Sequence, residues 1–161
     1  CDMLKPDRVL EIGTFTGYSA ICMARGLGKE GLLHTIDIND ELCEMAAKYF
    51  RLAELQDKIK AHTGDALKII PQLNELFDLA YIDGDKEEYV AYYNVVFPKI
   101  RIGGYILADN VLWGGKVITG DSNKETKGIR LFNKFISTDV RTEKLLLPLR
   151  DGIYIIRKIS E

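Results

Sequence analysis

Apolar positions along this chain fall in short runs separated by glycine turns and by longer stretches of helical spacing. Arg8–Ile12 (RVLEI) is an apolar run that stops at a glycine, the pattern of a buried strand. Tyr18–Arg25 has helical character up to Gly26 and Gly28, which read as a helix stop. Gly31–Ile38 (GLLHTIDI) reads as a second strand. Over Asp40–Leu55, Leu42, Met45, Ala46, Tyr49 and Phe50 recur at helical spacing, with Asp40 as N-cap. Ile59–Thr63 is a weaker third strand, and Asp65–Leu76 a short helix that Pro71 interrupts. Phe77–Ile82 (FDLAYI) is a strand, Glu87–Ile100 a helix, and Gly104–Ala108 (GYILA) a strand after a Gly103-Gly104 turn. Lys124–Ser137 is a helix with Ile129, Leu131, Phe132, Phe135 and Ile136 facing inward. Glu143–Leu149 and Ile153–Ile159 are strands joined through Arg150-Asp151-Gly152, a hairpin signal.

Strands alternating with helices predict an α/β fold: a Rossmann-like, doubly wound, mostly parallel sheet of seven strands. The closing hairpin adds an antiparallel strand at or near one edge. Dehydrogenase-type sheets stay parallel there, so the hairpin points to methyltransferase topology. The 161 residues fit one domain, 1–161, without repeat or linker. At 47% hydrophobic and 29% charged, the composition is that of a globular protein and excludes disorder. A formal net charge of -2 shows no overall basic excess that would point to nucleic acid, and leaves a local basic patch open. No apolar run approaches the ~18 residues of a membrane span, and no signal peptide is visible, so a cytoplasmic protein is expected. Cys1, Cys22 and Cys43 are odd in number and form no CxxC pair, which favours inert thiols in a reducing compartment. His34 and His62 lie far apart in sequence and predict no zinc site. The sequence opens on Cys1 rather than Met and enters a core strand at Val9, so an N-terminal segment is expected to be missing.

In doubly wound sheets ligands bind beyond the carboxyl ends of the strands. Glu11-Ile12-Gly13-Thr14-Phe15-Thr16-Gly17-Tyr18-Ser19 stands at the end of the first strand. Gly13 permits a tight turn, and Gly17 permits close approach of backbone to ligand. The spacing is G-x-x-x-G, not the G-x-G-x-x-G that cradles a diphosphate. Glu11 would repel a diphosphate but suits a cationic ligand. Asp37 ends the second strand, twenty residues beyond Gly17, where a carboxylate can accept from both ribose hydroxyls. Gly64-Asp65-Ala66 follows the third strand and would flank an adenine.

The fourth strand ends in Asp83-Gly84-Asp85-Lys86 and the fifth in Asp109-Asn110. Adjacent strands would bring Asp83, Asp109 and Asn110 together as an all-oxygen set suited to Mg, Mn or Ca. Read singly, each is a loop residue or helix cap. Lys86 is either a base that takes a proton from a hydroxyl or a surface lysine paired with Asp85 or Glu87. Trp113, in Val111-Leu112-Trp113-Gly114-Gly115, is either a wall for a flat substrate or a core residue.

The segments VLEIGTFTGYSA, HTIDIN, FDLAYIDGDKEEY, GGYILADNVLWGGKV and LPLRDGIYIIRK closely resemble the cation-dependent O-methyltransferases, the group of catechol and caffeoyl-CoA O-methyltransferases and their bacterial relatives. The resemblance spans essentially the whole chain. It implies S-adenosylmethionine (SAM) as methyl donor, a divalent cation, and a small hydroxylated acceptor of catechol-like or phenolic type. By resemblance, Glu11, Gly13, Thr14 and Ser19 hold the methionine part of SAM, Asp37 the ribose and Ala66 the adenine. Asp85 is a further SAM contact. Asp83, Asp109 and Asn110 resemble the metal ligands, Asp83 also bordering SAM, and Lys86 occupies the position of the proposed base. D-G-D-K replaces the usual D-A-D-K, and the family's helical N-terminal segment, which often supports a homodimer, is missing. The alternatives are a tRNA hydroxyuridine O-methyltransferase and a non-catalytic nucleotide-binding module.

Overall fold

The computed structural model describes residues 1–161. Its strands are β1 (Arg8–Ile12), β2 (Leu32–Asp37), β3 (Ile59–Thr63), β4 (Phe77–Ile82), β5 (Ile100–Ala108), β6 (Thr142–Leu147) and β7 (Ile153–Lys158). They form one seven-stranded sheet in the order β3-β2-β1-β4-β5-β7-β6. The first five are parallel, and β7 inserts antiparallel between β5 and β6. The helices are α1 (Tyr18–Arg25), α2 (Cys43–Leu52), α3 (Ala66–Ile69), α4 (Tyr89–Val96) and α5 (Lys124–Thr138).

Strand alternation sorts the core into two layers. Leu10, Ile12, Ala80, Ile82, Ile106, Ala108 and Ile156 face Ile70, Tyr89, Tyr93, Val96, Ile129, Phe132 and Ile136, contributed by α4, α5 and the end of α3. Val9, Leu33 and Leu79 face Ala20 and Ala24 of α1 and Ala46 and Phe50 of α2. Each large side chain buried this way contributes about 1.5–3 kcal/mol. The second layer is incomplete. Beyond α1 and α2, Tyr105, Leu107 and Ile155 are half-buried and Leu145 is exposed on the same sheet face.

The strand tips are tied together past the last strand residue. Gly64 N donates to Asp37 O at 2.8 Å, Gly13 N to Ile36 O at 2.9 Å, Asp83 N to Ile12 O at 2.9 Å and Asp109 N to Ile82 O at 3.0 Å. These four bonds tie five neighbouring strand tips along one edge of the sheet.

The regular structure departs from the sequence reading in identifiable ways. Asn39, not Asp40, caps the second helical segment, accepting from Glu41 N at 2.9 Å. That segment starts as a 3-10 turn over Asp40–Leu42 and its α-helix ends at Leu52, with Glu54 at φ 58° closing it. Met45 and Tyr49 lie on its outer side, 44% and 46% exposed, as does Leu131 on α5 at 59%. The helix expected over Asp65–Leu76 stops at Ile69, and Pro71 lies in a following 3-10 turn. The one expected over Glu87–Ile100 is α4 flanked by 3-10 turns at Lys86–Glu88 and Phe97–Lys99. Gly103-Gly104 is not a turn. It lies inside β5, where the pairing with β4 shifts register, because Gly103 at φ 87° can take the bulge without strain. Cys22 is exposed and Cys1 and Cys43 half-buried, so the thiols are free but not core residues.

Candidate active site

A cavity of about 480 Å³ opens at the carboxyl edge. Gly13 and Phe15 after β1, Asp37 and Ile38 at the end of β2, Gly64–Ala66 after β3 and Asp83–Asp85 after β4 line it. Of the residues assigned to a cofactor from sequence, Gly13, Asp37, Ala66, Asp83 and Asp85 meet here. Thr14 and Ser19 line a neighbouring cavity of about 470 Å³ that shares Gly13, Phe15 and Asp83 with the first.

Gly13 has φ 103°, and a Cβ there would overlap the Asp83 carbonyl, its carbon only 2.9 Å away. The turn after β1 therefore packs backbone to backbone against the tip of β4. Gly17 serves a different end from the one its spacing predicts. It lines neither cavity, and a Cβ there would lie 2.5 Å from the Phe50 ring, so its smallness seats α1 on α2. Asp37 steadies the turn: Oδ2 accepts from Phe15 N at 2.7 Å and Oδ1 from Asn39 N at 2.9 Å. Each oxygen retains further acceptor capacity.

Glu11 lies fully buried beneath this turn. Its Oε2 accepts from Thr35 Oγ1 at 2.6 Å, and Thr35 meets Thr14 Oγ1 at 2.5 Å. Oε1 has no partner among protein atoms. Burial pushes its carboxyl up to about 7, against the Ser19 and Thr35 hydroxyls, which favour the ionised form. The nearby Asp83 and Asp37 add to the rise.

The acidic tips are brought side by side. Ile82 pairs with Ala108, so Asp83 and Asp109 follow on adjacent strands. Lys86 is buried and donates to Asp83 Oδ1 at 2.7 Å and to Tyr89 OH at 2.7 Å. It does not pair with Asp85 or Glu87. Tyr89 OH in turn donates to Asp109 O at 3.0 Å. Burial and the Asp83 and Asp109 charges push both Tyr89 and Tyr81 well above the ordinary phenol range. Tyr81 OH donates to Asp109 Oδ2 at 2.5 Å, and Asn110 N to Asp109 Oδ1 at 2.7 Å. Asn110 adopts φ 57°, a left-handed turn conformation that Asn tolerates better than most residues. Asp85 is exposed and caps the Lys86–Glu88 turn through Glu87 N at 2.9 Å. Trp113 is half-buried against the larger core layer, its ring 6.0 Å from Lys86 Nζ, in a 3-10 segment kinked at Gly114 and Gly115. It packs against the core, one of the two readings its sequence context leaves open.

Sequence reasoning missed Tyr81, Tyr89 and Thr35. Their signal was present: Tyr81 shares the strand register of Glu11, Thr35 is its other neighbour across β1, and Tyr89 lies one turn beyond Lys86. His34 and His62, remote in sequence, are neighbours in space. Their rings stack at 5.1 Å with Nδ1 and Nε2 3.0 Å apart, across the β2–β3 pair.

The sheet order, the reversed seventh strand and a cavity at the carboxyl edge of β1, β2 and β4 define a Rossmann-like fold of the methyltransferase kind. The O-methyltransferase family pattern matches residues 2–159, and the chain belongs to that family of enzymes. It is 34% identical to caffeoyl-CoA O-methyltransferase 1 of Eucalyptus globulus over 170 aligned positions, covering 98% of this chain and 69% of the relative. An O-methyltransferase from Bacillus cereus, solved in complex with SAH, superposes with a TM-score of 0.93 at 30% identity, covering 98% of this chain and 76% of that one. The O-methyltransferase TomG from Streptomyces achromogenes, solved with SAM, gives 0.93 at 28% identity, covering 99% and 76%.

Proposed function

We propose that this chain transfers a methyl group from SAM to a hydroxyl of a small catechol-like or phenolic acceptor, with a divalent cation held by Asp83, Asp109 and Asn110. The observation that carries the reading is the adjacency of two carboxylate-bearing strand tips beside a cavity whose glycine wall admits no side chain. Both groups fit the residues present. The unpartnered Glu11 Oε1 and the crowded Gly13 turn suit a cationic ligand pressed against backbone. The donors Asp83, Asp109 and Asn110 offer only oxygen for a hard ion. Bound there, SAM supplies an electrophilic sulfonium methyl, and the cation supplies Lewis-acid polarisation of a neighbouring hydroxyl.

The chain's own residues do the rest. Asp37 offers its free lone pairs to vicinal ribose hydroxyls, and Gly64–Ala66 bound the base. Lys86, anchored by Asp83 and Tyr89, is the candidate acceptor of the substrate proton. Trp113 gives a flat substrate an apolar wall within reach of Lys86. Fixing acceptor and methyl donor in one orientation supplies much of the acceleration.

The test is methyl transfer to catechol, caffeoyl-CoA and tRNA, with Mg²⁺ or Mn²⁺ and with chelator. Turnover of a catechol-type acceptor only with metal is expected. Asp109→Ala should abolish that turnover while SAM still binds in calorimetry. Full activity in chelator removes the cation from the reading, and turnover of tRNA alone replaces the acceptor class.

A further inference from the structure

Asp109 has both carboxylate oxygens engaged before any ligand arrives. Oδ1 accepts from its neighbour's backbone, Asn110 N, at 2.7 Å, and Oδ2 accepts from the Tyr81 phenol at 2.5 Å. The first bond is local and turns with the loop. The second comes from the adjacent strand, and Tyr81 is held in the sheet between its register partners Glu11 and Leu107. The phenol therefore refers the carboxylate plane to the sheet rather than to the loop. Each oxygen keeps one lone pair, and the two bonds fix where those lone pairs point.

We propose that Tyr81 is a positioning residue that sets the orientation of Asp109 for a hard divalent cation; this rests on the cation reading above. A phenylalanine at this position would fill the same strand site and leave Oδ2 free to rotate. Outer partners of metal-ligating carboxylates are worth about 10–100-fold in metal affinity.

The experiment is Mn²⁺ titration of the full chain by electron paramagnetic resonance, in the presence of SAH, for wild type, Tyr81→Phe and Tyr105→Phe. Tyr105 lies on the same sheet face two residues before Leu107 but makes no bond to Asp109. Thermal melts of the three proteins report the fold separately. The expected result is about 10-fold or greater weakening for Tyr81→Phe, unchanged binding for Tyr105→Phe, and melting temperatures close to wild type. Equal Mn²⁺ affinity for Tyr81→Phe and wild type overturns the role of Tyr81 while leaving the cation site standing. Equal weakening in both variants also overturns it, since the effect would not belong to the Asp109 bond. Absence of Mn²⁺ binding in wild type overturns the cation reading itself, and the inference with it.

Discussion

Glu11 concentrates more physical conflict than any other side chain here. It is fully buried, one oxygen bonded to Thr35 and the other unpartnered, with its carboxyl pushed up to about 7 chiefly by desolvation. A carboxylate in that position is half-neutralised near neutral pH. A cationic cofactor in the adjacent cavity would favour its ionised form, so cofactor binding should strengthen as pH rises from about 6 to 8. Glu11→Gln should weaken binding at pH 8 and flatten that dependence, as read by calorimetry with SAM. A Gln variant whose affinity still climbs in parallel with wild type would exclude Glu11 as the source. At this scale the sequence was a partial guide. Acidic residues at strand ends are visible as punctuation after apolar runs, and Asp83 and Asp109 follow paired residues on adjacent strands. Tyr81 and Tyr89 were hidden because an aromatic in a strand or helix reads as core, and only coordinates reveal where its hydroxyl goes.

Among the elements, β1, β3 and β4 have the bounds that their apolar runs predict, whereas β5 starts at Ile100 and runs through the glycine pair read as a turn. Helix ends were less legible. Caps depend on which of two neighbouring polar residues turns inward, and Asn39 does so where Asp40 was expected. One contact between elements was invisible in the pattern. Gly128 of α5 packs on the Lys86 turn, where an added Cβ would overlap the Lys86 carbonyl oxygen and lie 2.8 Å from Glu87 Cα. Alanine there gains about 1 kcal/mol of helix propensity but overpacks backbone against backbone, which costs about 1–3 kcal/mol. The clash should win, because neither partner is a flexible side chain. Gly128→Ala is expected to lower the melting temperature by a few degrees and to depress turnover by shifting Lys86. A more stable alanine variant would show that α5 can slide without strain.

For the molecule as a whole, two buried groups act on stability with opposite signs. Burial lowers both His34 and His62 below the ordinary imidazole value, with Lys60 adding to the effect, His62 adding to it at His34, and Glu75 opposing it. The unfolded chain takes up protons below about pH 6.5 where the folded one resists, so this pair costs stability as pH falls. Glu11 works the other way. Its raised carboxyl binds a proton in the folded state down from about 7, a contribution fully present below the unfolded value of 4.5 and lost as pH rises through about 7. The two oppose one another as pH falls, and variants separate them. His62→Phe, which keeps a ring against His34, should make the protein relatively more stable at pH 5, and Glu11→Gln should make it relatively less so. Thermal melts of both variants at pH 7.5 and pH 5 check the signs; a parallel response in the two would contradict the account. The sheet itself also sets a limit on what the chain pattern could disclose. The hairpin was evident, but its insertion with β7 inside and β6 at the border depends on which strand buries better, and across one register pair Ile155 is half-buried while Leu145 is exposed.

The late arrival of β7 has a consequence for synthesis. The strand that neighbours β5, pairing Tyr154 with Ala108 just before Asp109, is the last of the seven to leave the ribosome. Until then β5 has an unclaimed border, and the adjoining acidic tip lacks half its frame. A growing polypeptide can thus shape the cavity bounded by β1 to β4 before β7 closes the free border of β5.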